Sequence, residues 1–251
     1  MSRAATLLFA MIVYAIFFAT FLYLIAFVGD FRFVGSTVDS GPRVPPLSAA
    51  MIDIALIALF GLQHSVMARP GFKAWWTRIV PRPIERSVFV LAASIALIIL
   101  FRFWRPIDPT VWNVTNPGPS GIIWLLFWAG WSMVLVSTFL INHFELFGVQ
   151  QAWLHCWGLE CGEPQLRQPL FYKWIAHPLY SGFFLAFWAT PHMSVGHLLL
   201  AGGLSVYMLI AIRYEEHDLT NLFGDDYRRY RSGVGMLTPR LRRRSDQHSA
   251  G

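Results

Sequence analysis

Charge is scarce in this chain. Only 14% of its 251 residues are Asp, Glu, Lys or Arg, against 55% that are hydrophobic, a balance too apolar for an ordinary soluble domain. Cysteine is scarcer still. Cys156 and Cys161 are the only two; a reduced pair on a cytoplasmic loop is expected, and with no second pair a zinc site is not. No glycine-rich strand-turn-helix fingerprint and no alternation of strand and helix patterns occurs, which excludes a Rossmann-type nucleotide fold. Nor is there an internal repeat of the kind that marks many carriers. Of the histidines, His64, His143, His177 and His217 form no close pair on one helix face with an acidic partner, so no metal is expected.

Long apolar runs are abundant instead. They cover roughly residues 5 to 28, 48 to 66, 87 to 104 and 121 to 142, and a longer one from about 178 to 212 is interrupted at Thr190-Pro191-His192. A bilayer core takes about 20 helical residues per crossing, so the last run predicts two. The expectation is an all-α integral membrane protein with about six transmembrane helices, the fifth and sixth forming a C-terminal hairpin followed by a cytoplasmic cofactor-binding tail. The first segment, opening Met1-Ser2-Arg3 without a small-residue cleavage site, reads as a retained helix.

Lys and Arg fix the orientation, because cytoplasmic loops carry the positive excess. Arg69, Lys73, Arg78, Arg82 and Arg86 lie between the second and third runs, and Arg228, Arg229, Arg231, Arg240, Arg242, Arg243 and Arg244 lie near the C-terminus. Both regions belong inside, which places both termini in the cytoplasm. The net charge of +6 suits anionic lipid headgroups, with no nucleic-acid partner expected. The chain reads as one polytopic domain over 1–251, with an N-terminal four-helix substrate-side half at 1–145, a cofactor-binding half at 146–240 and a basic flexible tail at 241–251.

Threading that orientation through the sequence gathers ionisable residues at one depth. Gln63-His64-Ser65 ends the second run, Glu85-Arg86 opens the third, Asn142-His143-Phe144-Glu145 ends the fourth, His177 opens the fifth, and Arg213-Tyr214-Glu215-Glu216-His217 ends the sixth. Charges within a membrane cost about 2.5 to 3.5 kcal/mol each on insertion scales, so a ring of them facing a bundle interior marks a site. Asp53, about three turns from His64 on the same helix, is expected to be a structural hydrogen-bond partner. The aromatic residues are expected in lipid contact, interface anchoring and core packing.

Three segments carry a resemblance. Ala176-His177-Pro178-Leu179-Tyr180-Ser181-Gly182, Arg213-Tyr214-Glu215-Glu216 and Gly224-Asp225-Asp226-Tyr227-Arg228-Arg229-Tyr230 resemble the cofactor half of the isoprenylcysteine carboxyl methyltransferase and phospholipid methyltransferase superfamily. Leu62-Gln63-His64-Ser65-Val66-Met67-Ala68-Arg69-Pro70 and Asn142-His143-Phe144-Glu145-Leu146-Phe147-Gly148 are similar to its NnrU-like branch. The resemblance implies a bacterial inner-membrane enzyme that binds S-adenosyl-L-methionine on the cytoplasmic side, with His177, Tyr180, Gly182, Glu215, Glu216, Tyr227 and Tyr230 as the cofactor set. Where the carboxyl methyltransferases carry Arg before the His-Pro pair this chain has Ala176, so Arg213 or another residue is expected to hold the cofactor carboxylate.

The resemblance further implies methyl transfer to a small volatile thiol, methanethiol, giving dimethyl sulfide. Such a thiol is a weaker acid than a Cys side chain of pKa about 8.5, so a base is needed and histidine is the default. His143, oriented by Glu145, is the first candidate and His64 the second. The competing readings are a prenylcysteine carboxylate or lipid acceptor at the same cofactor site, and a non-enzymatic NnrU-like membrane protein. The oligomeric state is not readable from the sequence.

Overall fold

The structure, a computed structural model, describes residues 2–160, 162 and 168–240; Cys161 and the expected basic tail at 241–251 lie outside them. Among the described residues five helices are long and apolar enough to cross a membrane: α1 (Arg3–Val28), α2 (Pro46–Ala68), α4 (Arg82–Phe103), α5 (Pro117–Ile141) and α9 (Val195–Phe223). Shorter elements join them. These are α3 (Pro70–Trp76), β1 (Thr110–Asn113), α6 (His143–Leu146), α7 (Val149–Trp157), α8 (Pro178–Trp188), β2 (His192–Ser194) and α10 (Asp225–Gly233).

Helix starts follow local chemistry. The side chains of Ser2, Asn116 and Ser194 accept from the backbone N–H of Ala5 at 3.2 Å, Gly118 at 3.2 Å and His197 at 3.0 Å, and α2, α3, α5 and α8 open on a proline, as α4 does at its second residue, that has no N–H to leave unpaired. Along α1, Ala10, Val13, Leu24 and Phe27 are buried while Leu8, Met11, Phe18 and Leu22 are exposed. A helix apolar on all faces is what lipid selects. Leu24, Phe27, Leu100, Trp104, Phe127 and Leu200 meet in the main core, where the buried Trp104 indole donates to Val38 O at 3.0 Å. Asp53 has the expected structural role, accepting from Arg105 N at 2.9 Å.

The fifth crossing differs from expectation. The segment from 178 is an 11-residue helix, about 16 Å long and half of a bilayer core of about 30 Å. Beyond it the chain is extended, and β2 pairs antiparallel with β1. The freed backbone groups are satisfied: Thr190 O accepts from Trp112 Nε1 at 2.9 Å, Pro191 O from Val114 N at 2.9 Å, and Phe187 O is bonded by His197 Nε2 at 3.0 Å. Irregular backbone at membrane depth survives only when protein satisfies it in this way. The turn back into α9 falls at Ser194, several residues after the Thr190-Pro191 interruption. Contacts of His177 with Glu216 and of Trp188 with Ser205 show that α8 and α9 form the expected antiparallel hairpin.

Helix α8 also packs along α5 at backbone contact. A Cβ on Gly130 would lie 2.6 Å from Ala186 N, and one on Gly182 would lie 2.8 Å from Gly130 O and Val134 N. Small residues at a helix crossing permit this approach. Gly182, expected in the cofactor set, therefore faces α5. Replacing Gly130 or Gly182 by Ala overpacks the crossing and is expected to cost about 1–3 kcal/mol, read as a lowered thermal unfolding midpoint in detergent. Gly202→Ala, where nothing lies within 4 Å, is expected to leave the midpoint unchanged or raise it.

Candidate active site

The site is assembled where the C-terminal segment returns to the start of α8. Ala176 N donates to Gly235 O at 2.8 Å, His177 N to Met236 O at 3.1 Å, and Gly235 N to Trp174 O at 3.1 Å, a short parallel stitch. Side chains reinforce it: Ser181 Oγ donates to Leu237 O at 2.7 Å, and the Tyr230 hydroxyl to Tyr172 O at 2.8 Å. His177 precedes a proline, which keeps its backbone out of the helical region and turns the imidazole toward α9.

Glu216 is the knot. Its Oε1 meets His177 Nε2 at 3.1 Å and accepts from Arg231 Nε. One carboxylate thus ties α8, α9 and α10 together through charge-assisted bonds. The neighbouring Glu215 points elsewhere. Tyr180 lies within hydrogen-bonding reach of it, and Tyr172, Tyr207 and Tyr227 lie within its field. Tyr207 and Glu215, eight apart on α9, share a face. Burial, then the charges of Glu216 and Glu215, push the Tyr227 phenol above its ordinary 10.0; burial pushes Tyr230 up to about 12. Both are neutral donors at physiological pH. Tyr227 is nevertheless buried with no partner for its hydroxyl.

The structure therefore brings together His177, Tyr180, Glu215, Glu216, Tyr227 and Tyr230. Arg213 is exposed on α9, whereas Arg231, counted in the sequence among the inward-facing basic residues, is inside the cluster. Tyr172 and Tyr207 complete it. The signals for these additions are faint: Tyr227, Tyr230 and Arg231 fall at helical spacing on one face of α10.

Helix α2 adjoins the cluster. Arg69 Nη1 pairs with Asp218 Oδ2 at 3.4 Å and its guanidinium lies 4.7 Å from the Tyr214 ring centre. One turn earlier, His64 sits among Phe60, Phe89 and Tyr207, with ring centres 5.5, 4.8 and 6.3 Å away. Its Nδ1 is buried and without a partner.

His143 occupies a different cluster, made by α1, the end of α5 and α6. Its ring stacks on Phe139 at 4.1 Å; Tyr14 OH is 2.8 Å from Nε2 and Thr138 Oγ1 is 2.8 Å from Nδ1. Thr138 spends its proton on Leu135 O at 2.7 Å, so its oxygen accepts from Nδ1–H and the lone pair on Nε2 receives the Tyr14 proton. Both nitrogens are committed. Glu145 is exposed and accepts from Asn142 Nδ2 at 2.8 Å; it is not the orienting partner of His143. Among the described residues no group of three or more His, Cys, Asp or Glu could hold a metal ion.

The chain matches the family model for "NnrU protein" over residues 53–238. It is 47% identical over 239 residues to a methanethiol S-methyltransferase of Mycobacterium tuberculosis, covering 95% of this chain and 98% of that one. It is 50% identical over 210 residues to a methanethiol S-methyltransferase of Pseudomonas deceptionensis, with 84% and 80% covered. A more distant likeness, 30% over 187 residues, links it to nurim of Xenopus laevis, with 68% and 62% covered. No solved structure matches.

Burial lowers the pKa of His143 below its ordinary 6.5, so the unfolded chain takes up this proton more readily than the folded one. The stabilisation is present above 6.5 and is lost as pH falls below it. The thermal midpoint of the protein is expected to drop on acidification, and His143→Gln to drop less steeply over the same range.

Proposed function

This chain belongs to the NnrU family, and on that premise we propose that it is a membrane methyltransferase that converts methanethiol to dimethyl sulfide with S-adenosylmethionine as donor. One observation carries the donor assignment: the Glu215 carboxylate lies within a group of four phenols, Tyr172, Tyr180, Tyr207 and Tyr227. A carboxylate beside aromatic faces suits a cationic ligand, and the unpartnered Tyr227 hydroxyl supplies a donor for its polar groups. The relatives named as methanethiol S-methyltransferases support the acceptor.

The residues divide the work. Glu216, held by His177 and Arg231, fixes α8 against α10 and so positions Tyr180 and Tyr227. Glu215 is the counter-charge to the donor. The bound cofactor would supply an electrophilic methyl group. His64 is the proton acceptor in this reading, because its Nδ1 is bare and it touches Tyr207, a member of the phenol group; His143 has no free lone pair to offer. Aromatic walls exclude water, which favours loss of charge as cation and thiolate combine. The Lys and Arg distribution supports a cytoplasmic site with cytoplasmic termini.

Membranes containing the protein, given methyl-labelled S-adenosylmethionine and methanethiol, are expected to release labelled dimethyl sulfide into the headspace. Label in lipid or protein with no volatile product would favour the alternative acceptors and overturn the thiol assignment. Glu215→Gln is expected to weaken calorimetric S-adenosylmethionine binding at least tenfold, about 1.4 kcal/mol. His64→Ala is expected to lower kcat/KM by about 100-fold or more, the size of a lost general base, with cofactor affinity retained.

A further inference from the structure

Arg86, near the start of α4, is a half-buried cation whose obvious partners are missing. Its Nε donates to Leu146 O at 2.7 Å, and its guanidinium carbon lies 4.9 Å from the Phe89 ring centre. Glu85 and Glu145 act on it electrostatically, yet among the described residues no carboxylate oxygen comes within the 4.0 Å of an ion pair. A guanidinium has five N–H donors. A charge held partly out of water is costly when unpaired, which favours a counter-ion beside it.

On the same Phe89 ring lies His64, at 4.8 Å, with its buried Nδ1 unpartnered. Arg86 is the charged group that His64 faces, and Lys73 of α3 adds a second positive charge near Arg86. Donors with no carboxylate partner and a bare imidazole nitrogen therefore both lie against the Phe89 ring. A ligand that arrives with a proton and leaves it behind satisfies both.

We propose that Arg86 is a catalytic residue that binds the sulfur of the acceptor thiol as a thiolate, paired with His64 as the recipient of its proton. This rests on the thiol methylation proposed above. The thiol S–H bond breaks, the proton moves to His64 Nδ1, and the electron pair stays on sulfur opposite the guanidinium. Net charge around the two residues is unchanged by the transfer. A positive neighbour favours thiolate over thiol, and Phe60, Phe89 and Tyr207 give the sulfur and its methyl group the aromatic contacts they prefer. A carboxylate ligand fits less well, since it brings no proton for the bare nitrogen when that nitrogen carries a lone pair.

The test uses the purified full-length protein with S-adenosylhomocysteine, which has no methyl to give, and methanethiol titrated against pH while thiolate ultraviolet absorbance is followed. In the wild type the bound thiol is expected to ionise at least one pH unit below the free thiol. In Arg86→Gln that shift is expected to disappear, giving at least tenfold less thiolate at fixed pH, with a matching alkaline displacement of the kcat/KM profile and partial recovery in Arg86→Lys. Unchanged thiol ionisation in a folded Arg86→Gln overturns the proposal. So does loss of S-adenosylhomocysteine affinity in that variant, which would assign the guanidinium to the cofactor carboxylate. Should Arg86→Gln not fold, thiocyanate on the wild type decides: competition with methanethiol beyond that of equal chloride supports the anion pocket, and its absence overturns it. Failure of the wild type to bind S-adenosylhomocysteine or to methylate methanethiol would instead refute the proposed function itself.

Discussion

Helix α8 is too short to cross a bilayer unaided, and everything around the candidate site depends on how its two ends are held. At one end, β2 hydrogen-bonds to β1 and the indole of Trp112 covers Thr190 O. At the other, Glu216 draws His177 and Arg231 together while residues 174–177 are stitched to 235–236. A membrane offers no water to satisfy a frayed helix end, so these contacts are conditions for the helix to exist there. The phenols that approach Glu215 come from the segment before α8, from α8 itself, from α9 and from α10, and they converge because those ends are fixed.

Much of this was legible in the sequence, for identifiable reasons. Long apolar runs translate directly into helices when the solvent is lipid, and the motifs around His177, Glu215 and Tyr227 mark residues that do assemble. Hydropathy counts apolar side chains and is blind to backbone hydrogen bonding. It therefore shows the 178–212 run as two crossings without revealing that the first is half helix and half extended chain, since the deciding partner, β1, lies some eighty residues upstream.

Histidine roles were less legible still. His143 and His64 fall at similar depth, and depth alone cannot separate them. The distinction lies in Thr138 and Tyr14, which occupy both nitrogens of one imidazole, and in their absence from the other. Arg231 and Arg86 were hidden in the same way. A positive-inside count treats every arginine near a helix end as a topological marker, although one of these is bound to Glu216 and the other lies half-buried over Phe89.

The glycine crossing of α5 and α8 has a mechanical corollary. With Gly130 and Gly182 at backbone contact, this pair behaves as a welded strut, and its strand-anchored far end denies α8 any piston stroke. Against that strut, among the described residues, the C-terminal segment is held by the Glu216 knot and by the bonds that residues 235–237 and Tyr230 make. The α5–α8 pair is therefore the fixed datum from which the position of every phenol around Glu215 is set.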